Sequence, residues 1–309
     1  MTLKAAILGA GFIGQNFIRQ CLLNGDELRI LDHKVCPTAF ERQLTWIKGD
    51  FSDDQAVRKV LQHVDLVYHF ISSTVPGDIT DESSELIQNV VQTLRLLKLC
   101  VEAKVKRIVF ISSASVYGLQ KELPIGEFAL PEPISSHGIH KLTIENYLKL
   151  YQYQFGLECK ILRLSNPYGP GQRITGRQGI IAIAIGKILA GEPIPIRGDG
   201  TAIRDFIHID DVCEVLHRVG SAQIDESILN VGSGSGYSLN QVITMMESVI
   251  GRPLSPVYTE SRFADIPASV LDITRARNLL GFEPKVSLRQ GLEMTFSFHN
   301  IHLASQVAV

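Results

Sequence analysis

Short apolar runs alternate with longer amphipathic runs through the first half of the chain. AAILGA precedes FIRQCLLNG, LTWIKGD precedes DDQAVRKVLQH, and DLVYHFIS precedes SELIQNVVQTLRLLKLCVEA. Strands separated by helix-length segments predict right-handed crossover connections, and such connections require a parallel sheet. The pattern therefore predicts an α/β fold with a doubly wound parallel sheet of the Rossmann type.

The character of the sequence changes after about residue 167. The run NPYGPGQRITGRQG is rich in glycine and proline and precedes the helical run IIAIAIGKILAG. Later, SLNQVITMMESVIG and SLRQGLEM each begin with serine followed three residues on by glutamine, the signature of a capping box. We therefore expect a Rossmann domain over residues 1–170, with a segment at about 205–235 returning to it. A smaller C-terminal domain over residues 171–309 is expected to bind mainly the substrate.

Composition and charge exclude several kinds of partner. The chain has 309 residues, is 45% hydrophobic and has a formal net charge of −2. It can bury a sizeable core but has no basic surface for nucleic acid or anionic lipid. No apolar run is long enough to span a membrane, and the glycine-interrupted N-terminus does not resemble a signal peptide. The five cysteines occur singly, which predicts neither a metal site nor disulfides and favours the reducing cytoplasm.

The segment GAGFIG predicts a dinucleotide site. It places Gly9, Gly11 and Gly14 in the G-x-G-x-x-G spacing, directly after a predicted strand and at the start of a helix. Glycines here allow backbone N–H groups and the helix N-terminus to approach a pyrophosphate without a Cβ in the way. Phe12 and Ile13, which lie within the same turn, are assigned to the same cofactor site. The alternative is a tight turn that binds no ligand.

Asp32 identifies the expected cofactor. It ends the next predicted strand about 20 residues after the glycines, where a carboxylate can accept hydrogen bonds from an adenosine ribose. Such a carboxylate repels a 2′-phosphate and therefore favours NAD over NADP. His33 and Lys34 follow it directly and weaken that preference.

Seven motifs occur in an order that is typical of one enzyme family. They are GAGFIG, KGDFSD, HFIS, RIVFISSASVYG, HGIHK, LRLSNPYGPGQ and GDGTAIRDFIHIDDV. With these motifs the chain resembles the extended short-chain dehydrogenase/reductases, and among them the nucleotide-sugar epimerases related to UDP-galactose (UDP-glucose) 4-epimerase. The resemblance implies NAD-dependent epimerisation of a nucleotide sugar, at C4 of a UDP-hexose, through a transient 4-keto intermediate.

The resemblance also implies which residues bind the cofactor. Asp50 and Phe51 would flank the adenine. Phe70 and Asn89 would line the remainder of the NAD site, and Lys141 would hold the nicotinamide ribose.

The same resemblance implies a substrate site. Ser113 would hydrogen-bond the sugar hydroxyl that is oxidised, and Asn166, Arg204 and Arg262 would surround the diphosphate. An amide and two guanidinium groups suit that charge. Taken singly, each arginine could equally be a solvated surface side chain, and Ser113 could be a hydroxyl satisfied by the backbone.

One position departs from the family pattern. The motif Tyr-x-x-x-Lys is here His137-Gly-Ile-His-Lys141. Positions i and i+4 of a helix share a face, so His137 and Lys141 are expected to point at the same site. In the family the tyrosine is the base, and the nearby positive groups that favour its ionised form would also keep an imidazole unprotonated. The imidazole reaches about 2 Å less far than a phenol oxygen, which counts against it.

Other functions remain as alternatives. The 4,6-dehydratases carry an acidic residue after the active-site hydroxyl, whereas this chain has Ala114 and Ser115, so epimerisation is favoured. A hydrolase built on Ser113 and His137 would lack the G-x-S-x-G elbow. Tyr117 is expected to pack beneath the site and is a less favoured substitute acid. The main alternative is a catalytically impaired protein that binds NAD(H) and a nucleotide sugar without turnover.

Two amphipathic runs predict a homodimer. SSELIQNVVQTLRLLKL and HGIHKLTIENYLKLY match the helices that pair into a four-helix interface in the resembled family. Leu86, Val90, Leu94 and Leu97 form a stripe at helical spacing. The alternative is that this stripe faces only its own sheet.

Overall fold

The computed structural model describes residues 3–73, 81–176, 179–261 and 266–304. The strands are β1 (Lys4–Leu8), β2 (Glu27–Asp32), β3 (Thr45–Lys48), β4 (Leu66–His69), β5 (Arg107–Ser113), β6 (Glu158–Leu164), β7 (Asn166–Tyr168), β8 (Ile194–Arg197), β9 (Ile203–His208), β10 (Ile228–Val231), β11 (Gly236–Ser238), β12 (Pro256–Thr259) and β13 (Ala268–Ser269). The α-helices are α1 (Phe12–Leu23), α2 (Asp54–Val60), α3 (Glu82–Leu86), α4 (Gln92–Glu102), α5 (Ser136–Phe155), α6 (Ile180–Ala190), α7 (Ile209–Ser221), α8 (Leu239–Ile250), α9 (Thr274–Leu280) and α10 (Leu288–Phe298).

The main sheet has seven strands in the order β10-β6-β5-β4-β1-β2-β3. Every neighbouring pair in it is parallel. The predicted doubly wound parallel α/β fold is therefore confirmed. The strand order reverses between β1 and β4, and open sheets of this kind bind ligands beyond the carboxyl ends of the strands at such a reversal.

The side chains of the central strands alternate between two cores. Ala5 and Ile7 of β1 face the core shared with α1 and α7, whereas Ala6 and Leu8 face the core shared with α2, α4 and α5. A strand directs successive side chains to opposite faces, so a strand covered by helices on both faces is apolar throughout. This burial fixes the ends of the strands and hence the position of the residues that follow them.

The remaining strands form two smaller sheets beside the main one. Strand β9 pairs with β7, β11 and β13, and β8 pairs with β12. Helices α6, α8 and α10 contribute to a separate core with these strands. Helices α8 and α10 begin with the capping boxes that the sequence predicted, at Ser238 with Gln241 and at Ser287 with Gln290. Within the described ranges no helix is long and apolar enough to cross a membrane.

The helix that precedes β5 contains a π turn. Residues Ile87–Val91 adopt this conformation between α3 and α4. A π turn holds more residues than an α-helical turn, so the residues after it are rotated relative to a continuous helix. Val90 and Leu97 consequently lie in the core against the sheet, while Leu86 is exposed. The stripe of three leucines and one valine predicted from helical spacing therefore does not form one exposed face.

Candidate functional site

The glycine turn joins β1 to α1 in a conformation that needs glycine. Gly9 has φ +96°, a region that residues with a side chain rarely adopt. A Cβ on Gly14 would lie 2.1 Å from the Gly9 carbonyl oxygen, whereas a Cβ on Gly11 would meet no protein atom within 4 Å. The turn is thus closed on the Gly14 side and open at Gly11, directly before Phe12 and Ile13 at the helix N-terminus. This arrangement fits a pyrophosphate.

Asp32 connects this turn to the end of β2. Its carboxylate accepts hydrogen bonds from the backbone N–H groups of Ala10, at 2.7 Å, and Lys34, at 2.8 Å. The side chain is largely buried but still borders the cleft beside the turn. His33 lies 3.5 Å from it through Nδ1. A fixed carboxylate at this place suits ribose hydroxyl groups.

A cleft of about 610 Å³ opens at the carboxyl ends of these strands. Gly9, Asp32, Asp50 and Phe51 line it together with residues 71–73. Hydrogen bonds from Ser52 lower the pKa of Asp50. The volume lies in the range of small-molecule sites, and the carboxylate, the aromatic ring and the open glycine turn fit a dinucleotide such as NAD. The structure therefore brings together Gly9, Asp32, Asp50 and Phe51 as the sequence assignment requires.

Phe70 and Asn89 support the edge of this cleft. Phe70 follows β4 and packs against Phe17 at a ring-centroid distance of 5.8 Å. Asn89 lies in the π turn, accepts a hydrogen bond from the backbone N–H of Ser73 at 2.9 Å, and donates to the Ser73 hydroxyl at 2.8 Å. It also donates to the carbonyl of Glu85 at 2.8 Å. The contacts of Asn89 therefore hold the loop after β4 in place.

The three residues assigned to catalysis lie on β5 and α5. Ser113 ends β5, and its hydroxyl oxygen accepts from the Ser115 backbone N–H at 3.1 Å. His137 is buried in the first turn of α5, which Ser135 caps. A Cβ on Gly138 would lie 2.6 Å from the carbonyl oxygen of Ser115. Gly138 thus allows the start of α5 to contact the segment after Ser113, next to His137.

Lys141 follows one helical turn later and is buried. Its Nζ donates a hydrogen bond to the Ile111 carbonyl at 2.7 Å and lies 4.6 Å from the centre of the Phe110 ring. Burial lowers the pKa of Lys141 to about 8, against the opposing effect of the Glu145 carboxylate. Burial and the positive charge of Lys141 lower the pKa of His69 to about 3, so His69 stays neutral. Lys141 therefore places a cation against β4 and β5 at this point.

Tyr117 occupies a different environment from the assigned base. Its hydroxyl donates to Asn230 Oδ1 at 2.6 Å, and the guanidinium of Arg163 lies 4.7 Å from its ring centre. The side chain is fully buried, and burial raises its pKa. These contacts agree with packing beneath the site and leave Tyr117 unsuited to act as a substitute acid.

A second cavity of about 430 Å³ contains two of the four residues assigned to the substrate. Asn166 and Arg204 both line it, and Asn166 Nδ2 donates to the Asp205 carbonyl at 2.9 Å. Arg262 lies outside the described residues. Arg197 also lines the cavity but was not identified from the sequence. The signal available in the sequence was the run IPIR before Gly198, in which isoleucine alternates with other residues. In the structure the two isoleucines are buried and Arg197 is exposed.

Metal ligands do not cluster in the described part of the chain. No group of three or more His, Cys, Asp or Glu side chains could hold a metal ion there. All five cysteines are described and have free thiols.

Comparison with known proteins gives one consistent family. The model of the NAD dependent epimerase/dehydratase family matches residues 5–232. The UDP-glucose 4-epimerase of Mycolicibacterium smegmatis is 30% identical over 299 residues, which cover 94% of this chain and 96% of that protein. The similarity thus extends well beyond the glycine turn.

Solved structures show the same likeness in three dimensions. The UDP-glucose 4-epimerase of Thermotoga maritima, with UDP-glucose, gives a TM-score of 0.89 at 29% identity and covers 96% of this chain and 98% of that one. The UDP-glucuronic acid 4-epimerase of Bacillus cereus, with UDP-glucuronic acid and NAD, gives 0.87 at 28% identity and covers 96% and 99%. Both likenesses therefore extend over nearly the whole chain.

Proposed function

The chain belongs to the NAD dependent epimerase/dehydratase family, and from this membership we propose that it catalyses the NAD-dependent epimerisation of a UDP-hexose at C4. The observation that carries the proposal is the placement of Ser113, His137 and Lys141 on β5 and α5, where β5 is the neighbour of β4 and the loop after β4 lines a cleft that fits NAD. The family membership also confirms the resemblance inferred from the seven motifs. The dehydratase and hydrolase alternatives have no comparable support.

The cofactor is NAD, and the residues of this chain suit it. We assign Gly9, Gly11 and Gly14, with Phe12 and Ile13, to the pyrophosphate. Asp32 is assigned to the adenosine ribose, Asp50 and Phe51 to the adenine, Phe70 and Asn89 to the walls, and Lys141 to the nicotinamide ribose. When bound, NAD supplies the acceptor and donor of hydride for the sugar carbon.

The protein's own part in the reaction is to bind the sugar and move one proton. Ser113 hydrogen-bonds the C4 hydroxyl and orients it. His137 accepts the hydroxyl proton at a ring nitrogen as the 4-keto sugar forms, and returns it after the sugar has turned its other face to the cofactor. The positive charge of Lys141 favours an unprotonated imidazole at His137. The same side chain is assigned to hold the nicotinamide ribose in place. Burial of His137 and Lys141 excludes water from these steps.

The impaired-binding alternative is not favoured. The relatives named above are epimerases, and the residues assigned to NAD and to the sugar hydroxyl are present in this chain. His137 is the one catalytic position that departs from the family pattern.

Direct conversion tests the proposed function. Purified protein is incubated separately with UDP-glucose, UDP-galactose and UDP-glucuronic acid, and the products are separated by chromatography. We expect UDP-glucose and UDP-galactose to approach the same mixture from opposite sides, and UDP-glucuronic acid, if it is accepted, to form its own C4 epimer. Mass spectrometry of material released by denaturation should show NAD. Protein that holds NAD and a UDP-sugar yet forms no epimer would contradict the proposed turnover.

We further propose that the second cavity binds the UDP diphosphate through Asn166 and Arg204, with Arg197 as an additional cation, and that Arg262, assigned from the sequence, also binds the diphosphate. Arg204→Ala is expected to weaken UDP-sugar binding roughly tenfold or more, because a charge-assisted hydrogen bond contributes about 1.5 to 3 kcal/mol. Arg262→Ala is expected to act in the same direction. Calorimetric titration of both ligands checks this, since NAD affinity should not change. An equal loss of NAD affinity would show that Arg204 belongs to the cofactor site.

We also propose a homodimer built on α5 and the segment around the π turn. Leu86, Ile87 and Val91 are 45%, 51% and 38% exposed, and Ile139 and Leu150 of α5 are 49% and 41% exposed. The π turn and α4 pack against α5, so these side chains lie on neighbouring elements. Apolar side chains grouped in this way indicate an association surface.

Light scattering tests the dimer. The mass is expected to be twice the 34.2 kDa of one chain, and Leu150→Glu should reduce it to that of a single chain. Leu189→Glu is the matched control, because Leu189 is 50% exposed but lies on α6. A wild-type mass of one chain at micromolar concentration would exclude the dimer.

Two further expectations are kept as proposals. We propose that residues 1–170, with a return at about 205–235, form the NAD-binding domain, and that residues 171–309 mainly bind the substrate. Strand β10 pairs with β6 in the main sheet, which supports the return.

The five free thiols support a reducing, cytoplasmic location, which we propose for this protein.

A further inference from the structure

A buried ion pair lies directly beneath the assigned catalytic residues and has no part in the reaction proposed above. The side chains of Glu145 on α5 and Arg163 on β6 are 0% and 2% exposed. Arg163 donates to both carboxylate oxygens, from Nε at 3.1 Å and from Nη2 at 2.6 Å. Removing two charges from water is costly, and a buried pair often stabilises a fold no better than apolar residues would. A role other than stability is therefore worth testing.

The same carboxylate joins the two elements that carry the catalytic residues. The Ser112 hydroxyl donates to Glu145 Oε1 at 2.5 Å. Ser112 directly precedes Ser113, and successive side chains of a strand point to opposite faces. The hydrogen bond that fixes Ser112 on one face of β5 therefore also fixes the direction of the Ser113 side chain on the other face. Glu145 also lies one helical turn after Lys141 and two turns after His137. One residue thus connects the end of β5 to the catalytic face of α5.

We propose that Glu145 is a positioning residue for the epimerisation. It fixes α5, with His137 and Lys141, against the strand end that carries Ser113, and it places a negative charge one helical turn from the Lys141 ammonium group. The two hydrogen bonds from Arg163 hold the carboxylate in a fixed orientation. This inference rests on the proposed function, because it assigns Glu145 to the reaction of that site.

Glu145 is the acidic group that acts on Lys141. His137 lies one turn before Lys141 on the same helix, His69 faces it from β4 as a neutral ring, and β5 supplies the Ile111 carbonyl. Burial lowers the pKa of Lys141 and the Glu145 carboxylate raises it. Without the charge of Glu145 the pKa of Lys141 falls further, so Lys141 loses its proton at a lower pH. The alkaline limit of any process that needs the ammonium form moves down accordingly.

The first test is Glu145→Gln, which keeps the size of the side chain and removes its charge. We expect kcat to fall at least about tenfold with little change in the KM for the UDP-sugar, because the loss concerns transition-state geometry. The alkaline limb of the pH profile, measured between about pH 7 and 10, should move to lower pH. Ser112→Ala should lower kcat without moving that limb, since it breaks the tether and keeps the charge.

Two further variants separate positioning from folding. Glu145→Gln/Arg163→Met removes both buried charges together, so it avoids an unpaired guanidinium and keeps the test possible if the single variant does not fold. Glu158→Gln is the matched control. Glu158 on β6 pairs with Arg107 on β5 through two hydrogen bonds of 2.8 and 2.9 Å, at the ends of these strands opposite to Arg163 and Ser112. It should lower thermal stability without changing kcat or the alkaline limb.

The outcomes distinguish this inference from the proposed function. If Glu145→Gln behaves as Glu158→Gln does, with a lower Tm but unchanged kcat and pH profile, Glu145 is only structural and the inference is overturned. If the wild type converts none of the UDP-sugars, the proposed function fails instead. Calorimetric titration of NAD across the same pH range then decides about Glu145. As the pH is raised, the affinity for NAD should begin to decline at a lower pH in Glu145→Gln than in the wild type. If the two pH profiles of NAD affinity coincide, the inference is overturned.

Discussion

Gly11→Val is expected to lower the affinity for NAD by at least about 100-fold, or roughly 2.7 kcal/mol, without lowering Tm. A Cβ at Gly11 meets no protein atom within 4 Å, and its φ of −75° lies outside the positive-φ region that favours glycine. The protein fold therefore has room for valine. The isopropyl group would fill the open side of the turn, where the pyrophosphate is assigned. Calorimetric titration of NAD and thermal unfolding measure the two quantities separately.

Neighbouring glycines supply the controls for this variant. Gly14→Val should lower Tm as well, because its Cβ would lie 2.1 Å from the Gly9 carbonyl oxygen. A Cβ at Gly126 also meets no protein atom within 4 Å, so Gly126→Val should change neither quantity. If Gly11→Val binds NAD as tightly as the wild type does, the pyrophosphate does not bind at this turn.

The sequence was sufficient for those parts of the site that depend on local spacing. The glycine turn, Asp32 at the end of β2, and the i, i+4 pair of His137 and Lys141 each follow from periodicity within a short segment. Parallel strands bring their carboxyl ends to one edge, so residues at the ends of β1, β2 and β5 had to meet. The fold class could be predicted for this reason, and so could the group of residues that we assign to the cofactor.

The sequence was not sufficient where a partner is distant along the chain. Tyr117 meets Asn230, which lies on β10, and Glu145 meets Arg163 on the neighbouring strand. Neither contact has a spacing rule, because both depend on how helices and strands pack in three dimensions. Charged residues are usually exposed, so a fully buried glutamate within a helix has no local signature.

The π turn explains the clearest difference between expectation and structure. An uninterrupted helix would place Leu86, Val90, Leu94 and Leu97 on one face, but Ile87–Val91 contains the extra residue of a π turn. The same turn directs Asn89 toward Ser73. A helical periodicity measured across such a turn mixes two faces, so the exposed apolar surface had to be identified from the structure.

His137→Tyr is expected to raise the rate of C4 epimerisation by about tenfold or more, which corresponds to roughly 1.4 kcal/mol of transition-state stabilisation. The other residues assigned to the reaction, Ser113 and Lys141, are in place on β5 and α5. A phenol oxygen reaches about 2 Å further than an imidazole nitrogen, so it can accept the sugar proton without a bridging water. The affinity for the UDP-sugar should change little, because the diphosphate is assigned to the second cavity. Single-turnover and steady-state rates on the same UDP-sugar measure the gain.

The result also distinguishes an adapted base from a degenerate one. If the wild type turns over rapidly and His137→Tyr is slower, the imidazole is the adapted base and the expected gain is wrong. His137→Phe is the matched control for size, and it should lose turnover in either case, because it can accept no proton. A loss of turnover on acidification that occurs in the wild type and not in His137→Tyr would identify the imidazole as the group that accepts the proton, since protonation removes its acceptor nitrogen. If neither protein turns over although both bind NAD and UDP-sugar, the barrier lies outside position 137. The contact of Ser113 with the sugar hydroxyl and that of Lys141 with the nicotinamide ribose would then be the place to look, because these are the other two residues assigned to the reaction.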